Sequence, residues 1–559
     1  MKKLSAILIL LAVLCAAFSA AALTPTLPPE SENPAGQTET AAPETATPAP
    51  DARPAQVHPA VTAEPPASLP QVETEAPPVD MLAYGMPPAD EYLKQEWGVT
   101  TFRGSASRQN AACGTTGEPA DRMKLCWDRL VAPAGEGSEQ RFTWPGQPLI
   151  VKWSIQVREM TQFAPSYEPK PAMREVIAAE KDGTVHFLDL VTGETTRGPL
   201  KTGQGIASSI ALHPSGFPLL CVSQTDEDGR GRMEAYNLYD LSRMQPFESR
   251  DGESGFVTAP AIDRTTDTLI TTGMDGRLYR YVMRIDFDYR DATLRNDPQI
   301  PETSGSGGTS CLAPSSALKD DAWYADMSGM LRRVDTEMMR KVWEKDLGDA
   351  AVSAIALDHR EEQTALYAAN VLTRAEEGAA TVYCLDAMSG EEVWHRDFRV
   401  EKQDGEPAPE SGFVASPVIG RNKLDGLVFY TVSGLAQEER KALGLADAEA
   451  SALIAMDKGT GETVWACGLE GPCYSSPVAV YDRDGGGRII QCSPDGRIIL
   501  LDGKTGTVLD TLQTEGAIET SPAVYKDVLV VTFTGKDGAH VCGIQLFNES
   551  EENGSENGR

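Results

Sequence analysis

A unit that recurs along the C-terminal four-fifths of the chain constrains its fold more than any single motif. The clearest copies are "ATVYCLDAMSGEEVW" (380–394), "SALIAMDKGTGETVW" (451–465) and "GRIILLDGKTGTVLD" (496–510), with a shorter relative in "GTVHFLDLVTGETTR" (183–197). Asp335, Asp386 and Asp457 each precede a tryptophan, Trp343, Trp394 and Trp465, by eight residues. The units also open alike: "TAPAID" (258–263), "ASPVIG" (415–420), "SSPVAV" (475–480) and "TSPAVY" (520–525), with looser versions at "SSIALHP", "APSSAL" and "VSAIALD". A period of about 40–60 residues accommodates four short strands with their turns, the signature of an all-β propeller.

With the opening strand innermost and the tryptophan strand outermost, blades open near Pro148, Ser209, Ala259, Ala313, Ser353, Ser416, Ser476 and Ser521, which predicts eight four-stranded antiparallel blades. The eighth unit ends without an outer strand. "KLCWDRL" (124–130), upstream of the first opening strand, carries Trp127 and supplies the missing piece. Joining the two ends of the ring in one sheet removes its exposed edge. Asp182-Gly183, Asp275-Gly276 and Asp495-Gly496 join pairs of apolar strands, and Thr192-Gly193, Ser389-Gly390, Thr460-Gly461 and Thr505-Gly506 serve the next turn. Glycine supplies the positive φ that such turns need. The outer-strand tryptophan is expected to wedge between neighbouring blades, its indole N–H meeting a carbonyl.

The flanks read differently. Residues 1–22 carry Lys2 and Lys3, an apolar run and small residues around Ala20 and Ala22, a signal peptide that predicts export. A lipid anchor at Cys15 is disfavoured because Leu14 stands where a small residue is normally required. Residues 23–90 are rich in Pro, Ala, Thr and Glu and predict a disordered, stiffened tether. The propeller is then expected over 91–547, with a polar tail over 548–559. No later stretch approaches the ~20 apolar residues of a membrane span. A formal charge of −32 without any Lys/Arg run makes nucleic acid and anionic lipid poor partners.

Nine cysteines remain after export. Cys221, Cys384, Cys492 and Cys542 fall within strands and read as small packing residues. Cys467 and Cys473 flank the loop "ACGLEGPC" and can close it as a disulfide, and Cys113 with Cys126 is a weaker pair. Asp226 and Asp228, like Asp482 and Asp484, stand at i and i+2 before glycines. They read first as turn residues and second as weak Ca²⁺ ligands, since no later acidic ligand follows. Ser316 and Lys319 have Ser-x-x-Lys spacing but lie on an opening strand, and His186, His213, His359, His395 and His540 lack H-x-x-x-H spacing.

The unit "LDAMSGEEVW" resembles the repeat of the pyrroloquinoline quinone (PQQ)-like propellers, and "WGVTTFRGSASRQNAACG" (97–114) resembles the Phe-Arg-Gly segment preceding their first blade. The resemblance covers residues 97–547, strongest in the later blades and faint between about 140 and 330. It implies an eight-bladed ring and two branches of function: quinone-dependent dehydrogenases, and non-enzymatic propellers similar to the outer-membrane assembly protein BamB. The enzymatic branch implies a catalytic Asp, a Ca²⁺ site of Glu, Asn and Asp, and usually a vicinal cysteine pair. This chain has no adjacent cysteines and no sequence cluster matching that site. The expectation is therefore an exported, monomeric, non-catalytic scaffold without cofactor, metal or catalytic residues, binding a protein partner at the cell envelope or outside the cell. Its binding face is expected at one end of the ring, at loops such as 286–312 and 399–414. The alternatives are a binder of glycan or another small ligand in the central funnel and, third, the dehydrogenase.

Overall fold

The computed structural model describes residues 98–550 apart from 135–142, 227, 229, 264–265, 289, 300, 306–308, 361–362 and 403–410. The expected signal peptide, the tether and most of the tail lie outside the described residues.

Eight antiparallel sheets succeed one another along the chain. Their inner strands are Leu149–Val151, Ala211–Leu212, Ala261–Asp263, Ser316–Leu318, Ala356–Arg360, Val418–Ile419, Val478–Tyr481 and Ala523–Tyr525. All eight lie where the opening motifs put them, and each blade runs outward in sequence order. The exception is blade 8, whose outer strand comes from the other end of the chain: Arg122–Pro133 pairs with Gly538–Phe547, Arg122 opposite Phe547 and Pro133 opposite Gly538. The predicted closure is present.

The repeated Leu-Asp pair has a local cause. Asp386 Oδ1 accepts the N–H groups of Met388 and Ser389 at 3.0 and 2.7 Å, and Asp457 Oδ1 accepts those of Gly459 and Thr460, both at 2.9 Å. Gly390 and Gly461, at φ 77° and 73°, then return their N–H groups to the aspartate carbonyls. In the Asp-Gly turns only the glycine takes positive φ, 91° at Gly183 and 85° at Gly496. The aspartate stays in ordinary φ space and its carboxylate accepts the N–H two residues on, as Asp182 does from Thr184 at 2.8 Å.

Apolar clusters lie between neighbouring blades rather than in one central core; Leu453, Trp465, Ala479, Ile489 and Leu501 join blades 6 and 7. Each wedge tryptophan lies on the turn of the next blade. Trp343 Nε1 donates to Ala387 O at 3.2 Å, Trp394 to Lys458 O at 2.8 Å and Trp465 to Gly503 O at 3.2 Å. Trp127, on the closing strand, repeats the contact from blade 8 to blade 1, donating to Leu190 O at 2.9 Å. A Cβ built at Gly193, Gly390, Gly461 or Gly506 would fall 2.6–2.8 Å from the indole, so each turn needs glycine for the approach as well as for φ.

Blades 1–3, where the repeat is faint, have outer strands of only two or three residues: Leu200–Lys201, Ser242–Arg243 and Glu302–Ser304. Other chemistry fills their seams. Buried Glu175 accepts from Trp153 Nε1 at 2.8 Å and from Arg197 at 2.6 and 3.0 Å, and the guanidinium lies 4.9 Å from the Phe187 ring. Phe247, Phe256, Tyr279 and Tyr281 pack edge-on between blades 2 and 3.

Cys221, Cys384, Cys492 and Cys542 are buried in strands, as expected. Neither proposed disulfide is present: Cys467 and Cys473 are free, and Cys473 Sγ turns away to donate to Cys492 O at 3.2 Å. Cys113 is buried on the inner edge of blade 8 and Cys126 exposed on its outer strand.

The closing strand carries a titratable clamp. His540 Nδ1 meets Asp128 Oδ1 and Nε2 meets Asp537 Oδ1, both at 2.8 Å. Burial opposes charge on the ring, but the two carboxylates more than offset it, raising the pKa above the ordinary histidine value. A raised pKa means that the clamp contributes fully below the unfolded histidine value of about 6.5 and is lost as pH rises through the folded value. The Tm advantage of the wild type over His540→Gln is therefore expected to be largest in mild acid and to shrink in mild alkali; a pH-independent difference would refute the clamp.

Candidate functional site

The axis of the ring is filled by the chain itself. Gly98–Val99 pairs with the inner strand of blade 1, Thr100 O accepts Leu212 N of blade 2, and Thr101 Oγ1 donates to Pro260 O of blade 3. Ala106 O accepts Ala317 N of blade 4, Ser107 O accepts Leu357 N of blade 5, and Gln109 O accepts Ile419 N of blade 6. Asn110 exchanges two bonds with Ala479 of blade 7, at 2.7 and 3.0 Å, and Ala112–Cys113 runs parallel to the inner strand of blade 8. This arm thus makes one circuit, meeting all eight blades in order.

The Phe-Arg-Gly segment makes the circuit possible. Arg103 and Gly104 both have positive φ, 57° and 78°, and a Cβ on Gly104 would stand 2.3 Å from Asn110 O. Arg103 donates to Pro417 O and Pro477 O, both at 2.7 Å. Those carbonyls belong to the Ser-Pro openings, whose serines are linked in turn: Ser416 Oγ accepts Ala354 N, Ser476 Oγ accepts Ser416 N, and Ser521 Oγ accepts Ser476 N, at 2.9–3.0 Å. The opening motif therefore links blades 5–8 to one another beside the arm. At the rim, Asp358 of blade 5 is held by Arg421 at 2.6 Å and Lys458 at 2.7 Å, and Arg421 reaches Gln109 of the arm at 3.0 Å. Burial opposes the Asp358 charge, but the surrounding cations hold its carboxyl well below the usual range. Burial pushes Lys458 down to about 8.

The ring has two distinct ends. One carries the first-to-second and third-to-fourth strand turns. Gly98 lies level with Val151 at that end, and the chain leaves it after Phe547, where Asn548 Nδ2 donates to Pro119 O at 2.8 Å. The other end carries the blade-to-blade crossings and the second-to-third strand loops. Over blades 5 and 6 the crossings build a second layer there, in which Val371–Leu372 pairs with Ser411–Gly412 and the helix Gln437–Ala442 stands above the outer strand of blade 5, Ala436 N donating to Arg399 O. Phe398, Val400, Phe413, Leu435 and Leu443 form its core. The two loops expected to share a face do not. The hairpin Asp286–Asp288/Thr293–Arg295 lies on the turn end, Phe287 stacking on Phe217 at 4.5 Å, whereas the crossing after Glu401 lies on the opposite end. In an up-and-down sheet odd- and even-numbered connections emerge on opposite sides. Residues 302–304 of the first loop are, moreover, the outer strand of blade 3.

Other candidates resolve locally. Asp226 and Asp482 cap their own turns, Asp482 Oδ1 accepting from Asp484 and Gly486 N–H at 2.8 Å. Ser316 Oγ donates to Ile355 O of blade 5, and Lys319 sits in a turn at φ 55°. The enzymatic branch implies a quinone beside a calcium ion. A cavity beside the arm, lined by residues including Thr101, Ser105, Leu212 and Pro260, measures about 20 Å³, whereas small-ligand pockets are typically about 300–1,000 Å³. Among the described residues no three His, Cys, Asp or Glu side chains gather to hold a metal ion. The space beside the described arm is too small for a quinone.

Comparison with known proteins agrees with the ring. The family model described as outer membrane protein assembly factor BamB matches residues 327–535, within blades 4–8. Over blades 4–8 the chain carries the repeat of the PQQ-repeat propeller family. Among solved structures, a europium-containing methanol dehydrogenase superposes on this propeller with TM-score 0.55 at 12% identity, covering 82% of this chain and 99% of that one. Quinohemoprotein alcohol dehydrogenase ADHIIG from Pseudomonas putida HK5 gives 0.55 at 11% identity, covering 84% and 83%. BamB from Moraxella catarrhalis gives 0.43 at 16% identity, covering 72% and 98%. At such identities the likeness is one of fold. No curated protein sequence matches this chain. Among the described residues no helix is long and apolar enough to cross a membrane.

Proposed function

We propose that this PQQ-repeat propeller is an exported, non-catalytic interaction module of the cell envelope. It is held by residues 23–90 and presents to a protein partner the end of the ring opposite its described termini. One observation carries this reading: the arm takes the axis, where a propeller would hold a small ligand, and both described chain ends leave by the turn end, so the layered end over blades 5 and 6 is free of them. The same observation weighs against a glycan or quinone in the funnel. The family match to an assembly factor supports the partner class, and the acidic net charge favours a partner with a basic face.

The test is capture from the envelope fraction with the full chain and two variants. One reverses charge on the helix of the layered end (Glu438→Lys with Glu439→Lys), and the other alters the turn end (Met338→Glu with Met388→Glu). A partner retained by the turn-end variant and lost by the helix variant supports the reading. Dye reduction by the full chain on addition of PQQ and Ca²⁺ would replace it with the dehydrogenase.

A further inference from the structure

The arm occupies the axis as a ligand occupies a receptor. Its buried guanidinium groups face oxygens that belong mainly to main chain. Arg108 Nε donates to Ser315 O at 3.0 Å, Nη1 to Thr101 Oγ1 and Phe102 O, both at 3.0 Å, and Nη2 to Ala259 O at 2.7 Å. Two of these acceptors, Ala259 and Ser315, stand at the openings of blades 3 and 4. Arg103 is held in the same manner by the openings of blades 6 and 7. Surroundings that present several separated acceptors are complementary to a guanidinium, whose N–H donors diverge in a fixed fork, and poorly suited to an ammonium, which concentrates its charge at a point. On the blade side the acceptors are the main-chain carbonyls of Ala259, Ser315, Pro417 and Pro477, each one or two residues before a paired inner strand, so they do not depend on the side chain that fills the site. The cavity of about 20 Å³ beside the arm is lined by Thr101, an acceptor of Arg108, and by Pro260, next to another.

We propose that the axis of this propeller is a binding site for planar guanidinium cations, built from inward-facing carbonyls of the blade openings and filled in cis by Arg108 and Arg103. The site recognises chemistry, a monoalkyl guanidinium, rather than a particular segment. The arm is then a tethered ligand, and its binding is part of the free energy that closes the ring. This inference is independent of the partner reading, because its test contains no partner.

Arg108→Ala in the full chain removes two methylenes and the guanidinium, so ethylguanidinium is the missing piece. At a hundredfold excess over its dissociation constant, a ligand that binds only the folded state raises Tm by about 2–3 °C in a domain of this size. Ethylguanidinium is expected to give a rise of that order in Arg108→Ala and none in the wild type, with saturable heat in calorimetric titration. N-ethylurea, the neutral isostere, and propylammonium, a point charge of similar length, are expected to give none. Arg108→Lys is expected to behave as poorly as Arg108→Ala, because it keeps the charge and loses the fork. If Arg108→Ala does not fold unaided, refolding yield with the same three compounds gives the readout, with ethylguanidinium alone restoring it. Absence of any guanidinium effect on Tm or yield, or an equal effect of N-ethylurea, overturns the proposal.

Discussion

A chain beginning at Gly146 is expected to lose the cooperative unfolding transition of the full protein. Such a chain lacks the arm, which bonds to every blade, and Arg122–Pro133, which supplies the outer strand of blade 8 and places Trp127 on Gly193 of blade 1. Its eighth blade ends in an open edge and its axis in unpartnered carbonyls. The removed contacts exceed the ~5–15 kcal/mol by which domains are stable, so the whole transition is at stake rather than a fraction of it. The measurement is thermal unfolding by near-ultraviolet circular dichroism beside a chain beginning at Asp90. Addition of residues 90–134 as a separate polypeptide is expected to restore a transition. Full cooperativity in the chain from Gly146 would show that the ring closes without Arg122–Pro133.

Arg197→Met is expected to cost about 3–5 kcal/mol, the effect of leaving one member of a buried ion pair without the other. Glu175 and Arg197 are 0% and 2% exposed, and the pair lies in blade 1 beside its seam with blade 2, which lacks the tryptophan wedge. The Arg197 side chain also donates to Leu238 O of blade 2, which ties the pair to the next blade. Replacing both partners, Glu175→Leu with Arg197→Met, is expected to recover most of the loss, because a matched apolar pair leaves no buried charge uncompensated. Urea unfolding of the two singles and the double gives the coupling directly. Equal losses for the single and the double would mean that the seam depends on shape and not on charge.

These expectations differ in how far the sequence anticipates them. Trp343, Trp394 and Trp465 announce their role, because an aspartate-capped turn and a strand of fixed length bring the indole to the same place in each blade. Trp127 could be assigned by the same pattern although it lies more than four hundred residues from its sheet partner, since the eighth repeat lacks what "KLCWDRL" contains. The seams of blades 1–3 could not be assigned, because their chemistry (Glu175 with Arg197, and four edge-packed aromatic rings) follows no period. Nor could the faces of loops 286–312 and 399–414, whose side depends on how many strands precede them in their blades.

The amino-acid sequence by itself determined the number of blades, the position of each opening strand, the turn residues and the closure of the ring, because these rest on local bonds and a repeated spacing that any one blade can satisfy. Only the tertiary structure decided what fills the axis. The segment around Arg103 and Arg108 has neither helical nor strand periodicity, and its polar residues acquire meaning from carbonyls contributed by distant blades. A bond between Arg103 and Pro477 O exists only once the ring has brought together residues 374 positions apart in the chain.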